Sequence, residues 1–143
     1  SILVLGCGDV RIEGAVHVDV REAVSPDVQW DLNERPWPFK DGAFREVVAE
    51  DVIEHLDDLI PTIEEIHRVM ATGATLWLTT PHWQHPNSWT DPTHKWHLTE
   101  RSFDYFDPDT PFGNKYWYYS GAKFRITERA VRGGNIEMRM VKR

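Results

Sequence analysis

The chain has 143 residues, a formal net charge of −7, 41% hydrophobic and 27% charged residues. That balance excludes a disordered chain and suits one domain, residues 1–143, with a sizeable core. The acidic charge argues against a nucleic-acid partner, because no overall positive field draws phosphates in. The only cysteine, Cys7, cannot form an intrachain disulfide. No apolar run approaches the roughly 20 residues that span a bilayer, and no basic-then-apolar leader precedes the first strand, so no membrane partner and a cytoplasmic location are expected.

Ile2 to Leu5 is a continuous apolar run ended by Gly6-Cys7-Gly8 and reads as a strand buried on both faces. Ala15 to Val20 alternates, as a half-covered strand does. A short third strand falls at Val28 to Trp30 and a fourth at Glu46 to Glu50. Leu59 to Met70 carries an apolar stripe, Ile60, Ile63, Ile66 and Met70, at helical spacing, and Thr72-Gly73 closes it. Ala74 to Thr80 is a fifth strand, ended by Pro81. Residues 81 to 98 have no period and read as a long structured loop. Thr99 caps a short helix through Phe106, and an aromatic loop runs on to Tyr119. Lys123 to Val131 and Asn135 to Val141 form a hairpin about Gly133-Gly134. The expected fold is therefore α/β, a Rossmann-like, mostly parallel sheet with a C-terminal antiparallel hairpin.

A glycine pair directly after a buried strand lets the backbone approach a ligand, and an acid ending the next strand can accept from two ribose hydroxyls. Gly6, Gly8 and Asp19 supply these parts. A dinucleotide fingerprint fits less well, because its third glycine would fall at Arg11.

Leu5-Gly6-Cys7-Gly8, His17-Val18-Asp19, Trp30-Asp31-Leu32, Pro36-Trp37-Pro38-Phe39, Glu54-His55-Leu56 and Arg68-Val69-Met70 follow one another in an order and spacing that resembles class I S-adenosylmethionine-dependent methyltransferases. The resemblance covers residues 2 to 81. It implies S-adenosylmethionine as cofactor, with Gly6, Cys7 and Gly8 at its methionine part and Asp19 on the ribose. It further implies Asp31 and Leu32 at the adenine, and Glu50 and Asp51 beside the amine and sulfonium. The chain departs from the family where only residues 9 to 14 and 21 to 27 join the first three strands. Six residues span about 20 Å only when nearly extended, so the usual crossover helix is missing and one sheet face has fewer helices than usual. Something must cover that face. Either the aromatic segment Trp117 to Tyr119 folds back on it or a second copy docks there as a homodimer.

After the fifth strand come Pro81-His82-Trp83-Gln84-His85-Pro86 and Asp91-Pro92-Thr93-His94-Lys95-Trp96-His97. Methyl transfer needs chiefly alignment and, for a hydroxyl acceptor, removal of a proton. His94 and His82 are the candidate bases and Asp91 the group that orients a ring. A small-molecule acceptor could be walled in by Trp83, Trp96 and Tyr105. Asp51, Glu54 and His55, spaced i, i+3 and i+4, would make a metal set with His94 if a helix began at Asp51. That stretch is similar to the metal site of small-RNA 2′-O-methyltransferases. Two alternatives to a small-molecule enzyme follow: a metal-assisted RNA 2′-O-methyltransferase, and a non-catalytic S-adenosylmethionine-binding module.

Overall fold

A computed structural model describes residues 1–143. Seven strands form one sheet in the order β3-β2-β1-β4-β5-β7-β6. They are β1 (Ile2–Leu5), β2 (Val16–Asp19), β3 (Val28–Gln29), β4 (Phe44–Glu50), β5 (Met70–Pro81), β6 (Phe124–Arg132) and β7 (Asn135–Lys142). The first five are parallel, and β7 runs antiparallel between β5 and β6. The expected α/β, Rossmann-like sheet with its terminal hairpin is the fold observed.

Helix α1 (Leu59–Val69) lies on one face. Its Ile63, Ile66 and Val69 are buried with Leu3, Leu5, Val47, Ala49, Leu76 and Leu78, the alternate positions of β1, β4 and β5. The helix ends one residue earlier than its apolar stripe suggests. Met70 is already extended and pairs with Phe44, and the chain bulges before Thr75 meets Glu46. Lys142 Nζ, 2.8 Å from both His67 O and Met70 O, donates to two carbonyls at the helix end. Gly73 turns the bulge with φ +81.

The opposite face carries no α-helix, only a 3-10 turn at Glu22–Val24. A small cluster of Val4, Cys7 and Val48 is covered by Ile12, Ala15 and Val24 from the short connections. Those connections are tied down by polar side chains. Arg11 Nη1 donates to Gly8 O (2.9 Å) and Val10 O (2.7 Å), and its other arm donates to Val24 O. His17 Nε2 accepts from the Ile12 N–H (2.9 Å), so Nδ1 carries the ring proton and donates to Asp27 Oδ2 (2.7 Å). Farther along the same face stand Thr75, Trp77, Thr79, Glu137 and Arg139, alternating with buried Leu76, Leu78, Met138 and Met140. The Arg139 guanidinium sits 4.3 Å from the Trp77 ring centroid.

The fold-back of Trp117–Tyr119 onto this face does not occur. Tyr119 stacks on Tyr105 (5.5 Å), which lines a groove with Leu59 and Ile60 of α1, on the helix-bearing face. Lys123 and Ser120 fix the segment there, through Trp117 O and Glu64.

Above the strand ends, the long loop contains a four-residue helix α2 (Asn87–Thr90). The expected helix from Thr99 is a 3-10 turn at Ser102–Phe106, and α3 (Pro111–Lys115) forms where a loop was expected. Thr110 caps α3 by accepting from Gly113 N (3.0 Å), and Pro111 occupies its first turn. The loop rests on the hairpin tip. His82 N–H donates to Gly134 O (2.8 Å), and the His85 ring lies so close that a Cβ at Gly134 would meet it at 2.1 Å.

Candidate functional site

The turn after β1 leaves the strand through Gly6 at φ +55 and Gly8 at φ +50. A side chain at Gly6 would collide with Val52 Cγ2 at 2.6 Å, so the close approach demands glycine. Gly8 N–H donates to Asp19 Oδ2 (2.9 Å) and Arg21 N–H to Asp19 Oδ1 (2.8 Å). Burial pushes the Asp19 carboxyl up, but these two N–H groups and the Arg21 charge outweigh it and hold it below its ordinary value. Asp19 is thus a charged acceptor held rigidly at the end of β2.

A cavity of about 550 Å³ opens there, lined by Gly6, Asp19, Asp31, Leu32, Asp51 and His55 among others. Its size suits a nucleoside-sized ligand. Five expected cofactor positions therefore meet on one wall. Gly8, Cys7 and Glu50 border a second cavity of about 280 Å³, which shares Gly6 and Asp51 with the first. Asp31 also serves its own turn, accepting from Asn33 N–H at 2.9 Å. The residue signals had not singled out Arg21, Trp30 or Thr93, which line the larger cavity as well.

Asp51, the first residue beyond β4, has φ +53, a conformation few non-glycine residues adopt. Its N–H donates to Thr79 O (3.0 Å), and its Oδ1 accepts from Thr79 Oγ1 (3.3 Å) and Asn135 Nδ2 (3.2 Å). No helix starts here. Ile53–His55 is a single 3-10 turn, and the expected four-member metal set loses Asp51.

What remains is compact. Donor atoms of Glu54, His55 and His94 all lie within 4.8 Å of one another. Glu54 is buried in the floor, with Oε1 accepting from Thr80 Oγ1 (3.0 Å) and Oε2 lacking any partner. Burial is the chief cause that lifts its pKa to about 7. His55 Nε2 and His94 Nε2 stand 3.8 and 3.9 Å from the orphaned Oε2. His94 Nδ1 faces Ser88 O at 3.2 Å, and since a carbonyl only accepts, Nδ1 carries the proton and Nε2 the lone pair. Asp91 Oδ2 is 3.6 Å from His94 Nε2. Burial, and then the neighbouring His94, lower the His55 pKa. The structure thus joins His94 and Asp91, expected from the loop, to Glu54 and His55. It leaves His82 apart, paired with Glu100 at 3.1 Å.

No curated protein sequence is similar to the chain. Among solved structures, an S-adenosylmethionine-dependent methyltransferase from Mesorhizobium loti shares 12% identity and a TM-score of 0.68, over 99% of this chain and 90% of that one. One from Archaeoglobus fulgidus shares 17% identity at the same TM-score, over 99% and 85%. The cyclase SpnF, at 14% identity and TM-score 0.67 over 99% and 74%, is also similar, so the fold by itself does not dictate methyl transfer. The family described as "Methyltransferase domain" matches residues 4–78, more than half of the chain. With the glycine turn, the acid of β2 and a cavity of the right size on the same stretch, the chain belongs to the methyltransferase-domain family and is an S-adenosylmethionine-dependent methyltransferase of class I fold.

Proposed function

We propose that the chain methylates an oxygen, in preference to a nitrogen, of a small or medium-sized acceptor, and that Glu54, His55 and His94 activate that acceptor beside the cofactor cavity. The carrying observation is the convergence of one buried carboxylate oxygen without a partner and two imidazole Nε2 atoms, at 3.8 and 3.9 Å from it, next to Asp51 and Thr93. S-adenosylmethionine supplies a methyl on a positive sulfur that departs as a neutral thioether. Gly6, Gly8 and Asp19 hold its ribose and methionine ends, Asp31 and Leu32 the adenine, and Glu50 and Asp51 face its positive charges. The acceptor hydroxyl gives its proton to an imidazole Nε2 as its oxygen bonds the methyl.

Two measurements test this. Asp19→Ala should weaken S-adenosylhomocysteine binding by roughly 1.5–3 kcal/mol for each charged hydrogen bond lost, read by calorimetry. Unchanged affinity would remove Asp19 from the site. His94→Ala should lose about 10²–10⁴-fold in label transferred from methyl-tritiated S-adenosylmethionine into extract acceptors, with cofactor affinity kept. Full transfer by the variant would remove His94.

A second reading is favoured by the same orphaned oxygen. Glu54, His55 and His94 are a donor set suited to manganese or magnesium, which would polarise the acceptor hydroxyl and make a protein base unnecessary. EDTA would then abolish transfer, and manganese would raise the melting temperature of the native chain but not of Glu54→Gln. Acidic charge and a cluster walled by the protein's own loop support a small-molecule acceptor and no nucleic-acid partner, and the single unpaired cysteine suits a cytoplasmic setting. No helix is long and apolar enough to cross a membrane.

A further inference from the structure

Thr93 lies on the rim of the cofactor cavity and touches the activating cluster through one atom. Its hydroxyl oxygen is 2.8 Å from His55 Nδ1 and 2.7 Å from Asp91 Oδ1. A hydroxyl has one proton to give. Asp91 takes it, since the same carboxylate oxygen also accepts the Thr93 N–H at 2.9 Å and so faces Thr93 as an acceptor. With its proton committed to Asp91, the Thr93 oxygen can only accept toward His55. The His55 Nδ1 must therefore carry hydrogen, and its Nε2 must carry a lone pair.

We infer that Thr93 is a positioning residue that, through a one-way chain from His55 Nδ1–H to the Thr93 hydroxyl to Asp91, fixes the tautomer of His55 and aims its Nε2 lone pair at the Glu54–His94 cluster. This rests on the reading that the cluster activates the acceptor. It also gives Asp91 a task that its position in the sequence concealed. Asp91 reaches the ring of His55, 36 positions earlier, by way of a hydroxyl two residues downstream, while its other oxygen stands beside His94 Nε2. Both histidines then have Nδ1 spoken for, one by a threonine oxygen and one by the Ser88 carbonyl. Both turn the same nitrogen inward. An acceptor proton or a cation meets two lone pairs there, whereas a flipped His55 would present an N–H and repel either one.

The test is nitrogen NMR of the His55 ring in the native chain at pH 8, in Thr93→Ser and in Thr93→Val. The native chain and Thr93→Ser should show Nδ1 protonated and Nε2 bare. Thr93→Val, of the same shape without the hydroxyl, should move the proton to Nε2 and lower label transfer from methyl-tritiated S-adenosylmethionine about 10–100-fold. Thr93→Ser should restore most of that transfer. A native His55 with Nε2 protonated, or a Thr93→Val ring that keeps its Nδ1 proton, would overturn the inference whatever the activity. A ring that switches in Thr93→Val while label transfer stays whole would instead overturn the assignment of acceptor activation to the cluster. The native spectrum alone decides the tautomer if a variant fails to fold.

Discussion

On one face of the sheet, α1 and the turns around Phe103 and Phe106 bury an unbroken layer of side chains from β1, β4 and β5. On the other, two short connections are fastened by Arg11 and His17, and the strands beyond them show threonines, charges and one tryptophan to solvent. Both faces hold parallel strands together, and both flank the glycine turn. The helix-bearing face does so by removing apolar area from water, a bulk effect that tolerates no cavity. The bare face does so with a few directed hydrogen bonds to backbone groups and one carboxylate, which satisfy the loops but bury little. A ligand site at the strand ends thus needs a fixed turn beneath it and does not need a helix behind that turn.

The contrast can be broken or sharpened by substitution. Ile66→Ala, in the buried layer, should cost about 2–5 kcal/mol of unfolding free energy in a denaturant titration. Glu54→Gln comes next and works through pH. The folded chain holds the Glu54 proton up to about pH 7, whereas an ordinary glutamate releases it near 4.5. Folded molecules therefore bind more protons between those values, and stability falls as pH rises from about 4.5 through about 7, by on the order of 3 kcal/mol. A glutamine amide has no such proton to lose, so the variant should be the more stable at pH 8 and equal to the native chain near pH 4. Equal melting temperatures at pH 8 would show that the carboxyl ionises freely. His17→Ala should cost about 1–3 kcal/mol, since it strands the Ile12 N–H and removes the ring's bond to Asp27 Oδ2, which keeps only the residue-17 N–H, and it should speed exchange of the β1–β2 amides. Trp77→Thr should be the mildest, at about 1 kcal/mol or less, the value of its contact with Arg139. A loss as large as that of Ile66→Ala would mean that a second copy covers the bare face.

Much of this was legible in the chain before folding. The apolar run at Ile2–Leu5, its glycine exit and the acid of β2 announced one wall of the cavity, because buried parallel strands and tight turns leave short-range marks. The hairpin was equally plain from Gly133-Gly134. What fastens the short connections was not, because Arg11 and His17 reach backbone groups across loops that have no period. Thr93 escaped for a related reason, since its meaning depends on a residue 38 positions away. The solvated character of the bare face was readable in Thr75, Trp77 and Thr79 alternating with Leu76 and Leu78, whereas the cover that Ile12, Ala15 and Val24 give the apolar run of β1 comes from connections without a period. Likewise Thr110-Pro111 was a visible start signal for α3 inside a segment dominated by aromatics. Asp51 misled, because its spacing to Glu54 and His55 suits a helix, whereas its left-handed backbone takes it out of the set.

The contact between His85 and Gly134 has a consequence for timing. Loops that bear catalytic side chains commonly sample open forms faster than the sheet below them fluctuates. Here the imidazole is wedged against the bare α-carbon of the hairpin tip, and the His82 amide is bonded to that same residue's carbonyl. The loop carrying Asp91, Thr93 and His94 therefore has no private clock. If the cluster activates the acceptor as proposed, opening of the loop at His82–His85 should carry the tip of β6 and β7 with it, which would tie ligand exchange to a turn of two glycines.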